Sequence, residues 1–168
     1  MIGPFQSFED ALLWIARRFL FVREVGGQNR GIWVNMIQKL TQNDNGDSWC
    51  ASWVSLVLGL AFGGKSPLPR TASCDVILAT ARKEGWLTST PSVGDLFLLL
   101  KNPNDAHHVG IVTEVKNATV IGTIAGNTSE DGTSSNGDRV AEHDMTIVPG
   151  KIIFVAYPRP GLTLSKAA

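Results

Sequence analysis

The sequence predicts an α+β fold in which N-terminal helices precede an antiparallel β-sheet, and two patterns predict it. Up to Glu84 the apolar residues recur at helical spacing between capping and turn residues. After Pro91 the chain breaks into short runs rich in Val, Ile, Leu and Phe, separated by Gly, Asn, Asp and Pro. Helices and strands are segregated rather than alternated, which argues against a parallel βαβ sheet. With 168 residues, 43% of them hydrophobic, the chain has the size of one domain and enough apolar surface for a core.

Each element has a local cause. Ser7, with Asp10 three residues later, resembles a capping box, and Leu12, Leu13, Ile15, Ala16, Phe19 and Leu20 follow at helical spacing; this helix is expected to end near Glu24, before Gly26 and Gly27. A short second helix is expected over Ile32–Leu40, followed by the polar, turn-forming run Thr41–Asp47. Residues Ala51–Leu60 are apolar on nearly every face, which predicts a helix buried on most sides and stopped by Gly63 and Gly64. A fourth helix is expected over Ala72–Glu84, with Gly85 as its stop. Strands are expected at Asp95–Lys101, His108–Val115, Thr119–Ala125, Arg139–His143 and Lys151–Tyr157.

Composition narrows the function. Fifteen basic and fifteen acidic residues balance, so no charge excess draws the chain to nucleic acid or to an anionic membrane. No stretch reaches the ~18 uninterrupted apolar residues of a spanning helix, because Arg17 and Arg18 break Ala11–Val22, and membrane insertion is not expected. Glu9 and Asp10 occupy the place where a signal peptide would be basic, so no export signal is expected and synthesis in the cytoplasm follows. Two Cys and three His suggest neither a disulfide framework nor a metal centre, and no cofactor or metal is expected. Cys50 and Cys74 are read as free thiols, with any pairing left open because a sequence cannot give their separation.

Three residues could do chemistry together. Cys50 lies where a polar loop meets the first turn of a buried helix, and unpaired N–H groups and the helix dipole there favour a thiolate. A small buried hydrophobe is the competing reading of any Cys. His108 is expected to open the strand His108-Val-Gly-Ile-Val, with Gly110 leaving room beside it, and imidazole has a pKa suited to a general base. Strand alternation lets only one of His107 and His108 face Cys50. Asn127 ends the next strand, and in a hairpin it would fall beside His108, where its side chain could orient the imidazole; Gly-Asn is also ordinary turn chemistry. Cys, His and Asn in that order follow the papain-like sequence of nucleophile, base and orienter.

Trp49-Cys50-Ala51-Ser52-Trp53-Val54, Pro91-Ser-Val-Gly94-Asp95-Leu96, His108-Val109-Gly110-Ile111-Val112 and Gly126-Asn127-Thr128-Ser129 occur in order, preceded by Glu24-Val-Gly-Gly-Gln-Asn29-Arg-Gly31. In these the chain resembles the CHAP-domain cysteine amidohydrolases and peptidases, relatives of the NlpC/P60 group, over roughly Glu24 to Tyr157. The resemblance implies a papain-like fold and hydrolysis of an amide bond in bacterial peptidoglycan, with Cys50 as nucleophile, His108 as base and Asn127 as orienter. Ala125 stands where many members carry Glu, which leaves the third role to Asn127. The expected organisation is an N-terminal helix (1–23) packed on the core, a CHAP-like catalytic domain (24–160) and a loose tail (161–168).

Other residues have plainer readings: Asp47 as the cap of the Cys50 helix, Cys74 as a packing residue at the start of the fourth helix, Asp95 as a turn residue, Trp49 and Trp53 as buried rings, and His143 without an evident partner. A silent wall-binding or structural module on the same fold is the alternative to an enzyme. A glycosidase using Glu114 and Glu130 is a third reading, with nothing in the sequence to fix their separation. The expected setting is a monomer acting on peptidoglycan in the periplasm or outside the cell, after lysis or delivery.

Overall fold

The computed structural model describes residues 5–161. Most of the expected tail, 162–168, lies outside them. Four helices, α1 (Phe8–Arg17), α2 (Ile32–Leu40), α3 (Cys50–Ala61) and α4 (Cys74–Lys83), precede six strands: β1 (Leu87–Thr88), β2 (Leu96–Asn102), β3 (Asp105–Val115), β4 (Val120–Thr128), β5 (Arg139–Thr146) and β6 (Ile152–Val155). The strands form one antiparallel sheet in the order β1-β6-β2-β3-β4-β5. The α+β class and its helix-then-sheet order are those the sequence predicts.

Helix α1 starts as expected, with Ser7 Oγ accepting from the Asp10 amide at 3.0 Å, and it buries Phe8, Leu12, Leu13 and Ala16. It ends at Arg17, seven residues short of the expected Glu24. The amides of Arg18, Phe19 and Leu20 close tight turns by donating to the carbonyls of Ile15, Ala16 and Arg17, and the chain then runs extended along the edge of β5. There Val22 accepts from the Val140 amide at 3.1 Å and Glu24 donates to the Asp138 carbonyl at 2.7 Å. A longer helix would forfeit this pairing and leave edge groups of β5 bare.

Alternation along the strands divides the apolar residues between two faces. Leu96, Leu98, Val109, Ile111 and Ile124 pack with the helices, while Phe97, Val112, Ile121, Ala125 and Phe154 form a smaller cluster on the other face. Gly110 lies against that second cluster. A Cβ there would meet the Phe97 ring at 2.5 Å and the Ala125 side chain at 2.7 Å, so the glycine makes room for β2 and β4 rather than for His108. Strand β3 begins three residues before the expected His108, and β4 runs on through Asn127 to Thr128.

Two anchors fix the ends of this frame. Asp75 on α4 accepts the Ala106 amide at 2.7 Å, tying α4 to the first turn of β3. Asp95 is buried and takes Arg159 at 2.9 Å, and Arg159 also reaches Glu9 of α1 at 3.4 Å. Asp95 does form the expected turn, accepting the Ser92 amide at 2.8 Å, but it is also half of a buried ion pair that joins the start of β2 to the chain's C-terminal side. Burial pushes its carboxyl up to about 6 despite the Ser92 amide and Arg159.

Candidate active site

Helix α3 begins at Cys50 with Trp49 as its N-cap, and no side chain among the described residues caps it. Asp47, the expected cap, is solvent-exposed two residues upstream; its backbone is used, the carbonyl accepting from Gln38 Nε2 at 2.7 Å and the amide donating to the Asp44 carbonyl at 3.2 Å, while its side chain makes no capping bond to α3. The first-turn amides of α3 therefore keep their capacity to hold negative charge at the residue that opens the helix.

The Cys50 sulfur is buried and lies 3.8 Å from the Cys74 sulfur at the start of α4. The expected packing role of Cys74 was silent on this contact, since residues on two helices meet only through the tertiary fold. Cys50 is held well below the ordinary thiol pKa. The hydrogen bond from Cys74 is the largest cause; burial opposes it, and hydrogen bonding and charge from His108 and the Val109 amide add to it. Cys74 moves the opposite way, pushed up by the same hydrogen bond, by burial and by the charges on Cys50 and Asp75. The thiolate belongs on Cys50, because that sulfur faces the imidazole and Cys74 faces an acidic neighbour.

His108 sits inside β3, opposite Leu99, rather than at the strand's opening. It is buried with its ring 6.0 Å from that of Phe97, while His107 is turned out to solvent. Its Nδ1 is buried and has no partner among the described residues. Asn127 does not supply one. Its Oδ1 accepts the Trp49 amide at 3.1 Å, and its Nδ2 donates to Asn29 Oδ1 and to the Gly137 carbonyl, each at 2.9 Å. An amide acceptor bound to a backbone N–H and an amide donor bound to a carbonyl leave one choice of flip. The structure therefore brings Cys50 and His108 together and ties Asn127 to the backbone in front of Cys50, with no hydrogen bond to the imidazole.

Asn127 adopts a left-handed backbone (φ 56°), a conformation Asn tolerates better than most residues. The preceding Gly126 has a steric task, since a Cβ there would meet Trp49 Cζ3 at 2.7 Å and Trp53 Cβ at 2.9 Å. Both Trp rings are fully buried, as expected, and they seat the first turn of α3 directly on β4.

Three residues of this frame have no role assigned from the sequence: Glu24 and Asn29, which appear there only as part of the segment preceding the cysteine motif, and Gln38. Glu24 accepts from Trp49 Nε1 at 3.0 Å and from the Asn29 amide at 2.7 Å. Asn29 donates to the Gly46 carbonyl at 3.0 Å, and Gln38 donates to the carbonyls of Asn29 at 3.1 Å and Asp47 at 2.7 Å. A Gln on the buried side of the apolar helix α2 was the available signal, because a buried amide needs partners.

The proposed glycosidase pair does not assemble. Glu114 lies toward the far end of β3 beside Lys116, and Glu130 lies in the loop after β4 on Arg139. His143 is half-buried under Gly132, and its Nδ1 has no partner among the described residues. Among the described residues no group of three or more His, Cys, Asp or Glu is placed to hold a metal ion, and no helix is long and apolar enough to cross a membrane.

The family model for the CHAP domain matches residues 42–127, just over half of the chain and a span that contains Cys50, His108 and Asn127. The chain belongs to the CHAP domain family. A search of curated proteins and a search of solved structures each find no match. The CHAP match starts in the loop before Cys50 and ends on the residue that holds the Trp49 amide. Glu24 and Asn29 precede it, yet bond directly to Trp49 and Asn127 within it. CHAP domains are papain-like hydrolases or peptidases as a class, and the helix-borne sulfur beside a strand-borne imidazole fits that description.

Proposed function

We propose that this CHAP domain hydrolyses an amide bond of bacterial peptidoglycan by covalent cysteine catalysis. The observation that carries the reading is the placement of Cys50 as the first residue of the uncapped helix α3, with its sulfur 3.8 Å from that of Cys74 and beside His108; these neighbours also push its thiol below the ordinary range. In this mechanism the Cys50 thiolate attacks the amide carbonyl, and the first-turn amides of α3 stabilise the oxyanion that forms. The His108 imidazolium passes its proton to the leaving amine as the C–N bond breaks, leaving an acyl-thioester. His108 then takes a proton from water, hydroxide attacks the thioester, and the Cys50 thiolate is released with a free carboxylate product.

The bond cut is either the link between the glycan's lactyl group and the first alanine or an amide within the stem peptide or cross-bridge. The setting we propose is the cell wall, reached after lysis or by delivery, with the domain acting as a monomer. Digestion of purified peptidoglycan followed by mass spectrometry of the released fragments tests this, because each bond leaves its own new termini. New amide-derived termini with the wild type and none with Cys50→Ala are expected. A folded Cys50→Ala protein that still releases them overturns the mechanism, and a wild type that binds the wall without releasing fragments supports the silent module instead.

A further inference from the structure

Cys74 has no step to perform in that mechanism, yet the fold holds its sulfur 3.8 Å from that of Cys50. Each Cys is the first residue of its helix, α3 or α4, and the contact is fixed from both sides. Ser55 on α3 donates its hydroxyl to the Thr71 carbonyl at 2.9 Å and accepts the Thr71 amide at 3.0 Å, pinning the segment that leads into Cys74. Asp75, the next residue, holds the Ala106 amide at 2.7 Å. A packing residue would need none of this alignment of sulfur on sulfur.

We propose that Cys50 and Cys74 form a reversible dithiol–disulfide pair, with Cys74 as the resolving thiol and a small peroxide as oxidant, so that oxidation withdraws the nucleophile. Forming an S–S bond of ~2.05 Å needs the two side chains to close by roughly 1.8 Å between them, within reach of side-chain rotation. The Cys50 thiolate attacks hydrogen peroxide, giving Cys50 sulfenic acid and hydroxide as the O–O bond breaks. Once Cys50 is a neutral sulfenic acid its charge no longer holds up the Cys74 thiol, which gives its proton to the hydroxide to form water; the Cys74 thiolate then attacks the sulfenic sulfur, the S–S bond forms and the S–O bond breaks with loss of hydroxide. Two external thiols reverse it, becoming a disulfide themselves and restoring both Cys. Both sulfurs are almost wholly buried, which favours an oxidant of a few atoms over a bulky one.

The switch rests on the proposed role of Cys50, but the bond can be read without any activity. The folded protein is treated with hydrogen peroxide, the remaining thiols are alkylated, and intact mass and peptide maps are recorded before and after dithiothreitol. Wild type is expected to become lighter by two hydrogens, to yield one linked Cys50–Cys74 peptide, and to regain both thiols and its own starting hydrolysis on reduction. Cys74→Ser is expected to carry Cys50 on to the sulfinic acid, which dithiothreitol does not reverse. A wild type in which Cys50 reaches the sulfinic acid as fast as in Cys74→Ser, or in which both thiols stay alkylatable, overturns the pairing. A linked peptide in a protein that never hydrolyses the wall leaves the pairing standing and rejects only the hydrolase reading.

Discussion

The loop frame in front of α3 and the sulfur–imidazole cluster beside it meet at Trp49 and Cys50, yet they are built in opposite ways. In the frame, the side chains of Glu24, Asn29 and Asn127 use both their polar atoms, and Gln38 uses its Nε2 twice while its Oε1 has no partner among the described residues. In the cluster, the His108 Nδ1 has no partner among the described residues, and the two sulfurs touch at 3.8 Å with neither bonded covalently. Satisfied buried groups hold one conformation; unsatisfied ones keep free energy available for a reacting partner. In the proposed mechanism the frame sets where the Cys50 sulfur is, and the cluster sets what it can do.

That difference can be broken residue by residue. The largest effect is expected at His108: His108→Ala should cut hydrolysis by ~10²–10⁴-fold, since it removes proton transfer and one of the groups that favour the Cys50 thiolate, whereas His107→Ala, on the solvent side, should stay within a few-fold. Steady-state rates on purified wall material for both variants check this, and an essential His107 would show that the imidazole facing Cys50 has been misassigned.

Asn127→Ala should act through the frame. It strips a partner from the Trp49 amide, Asn29 and the Gly137 carbonyl, and leaving buried groups unpaired costs about 1–3 kcal/mol each before relaxation. Hydrolysis and melting temperature should therefore fall together. Lost turnover with an unchanged melting temperature would instead support the orienting role that the order of Cys, His and Asn suggests. A smaller effect, ~1–3 kcal/mol of destabilisation, is expected for Gly126→Ala, because its methyl would press on Trp49 and Trp53; chemical denaturation measures it.

The smallest is a pH effect remote from the site. The Asp95 carboxyl is raised to about 6 by burial, with Arg159 lowering it and Glu9 raising it, whereas an unfolded Asp titrates near ~3.9. Between these values the folded chain binds a proton that the unfolded chain does not. This contribution is complete below the unfolded value and is lost as pH rises through about 6. Relative to Asp95→Asn, which cannot titrate, wild type should gain melting temperature from pH 7 to pH 5; parallel profiles for the two proteins would refute the shift.

Much of the fold was legible because it is written in local periodicity. Helix α2 falls on its expected residues, and α3 and α4 fall within two residues of theirs at each end. The end of α1 was not legible: Phe19 and Leu20 continue the helical pattern, but the chain is diverted by pairing with β5, more than a hundred residues away. Site legibility splits along the same line. Cys50 and His108 stood out by residue type at a loop-to-helix junction and in a strand. The Cys74 contact, the work of Gln38 and the true partners of Asn127 depend on which elements the fold stacks together. Asp47 misled for a local reason, since its spacing suits a cap but the helix starts one residue after Trp49.

We propose that Cys50 is a thiolate because hydrogen bonding from Cys74, His108 and the Val109 amide outweighs its burial. The most direct test of this is the rate of iodoacetamide alkylation at Cys50 against pH, followed by peptide mass spectrometry in wild type and His108→Ala. Wild-type Cys50 is predicted to alkylate at mildly acidic pH, where an ordinary thiol with a pKa of ~8.5 is almost wholly protonated, and the profile should move to higher pH in His108→Ala. A wild-type profile rising only near pH ~8.5, unmoved by loss of His108, would contradict the account.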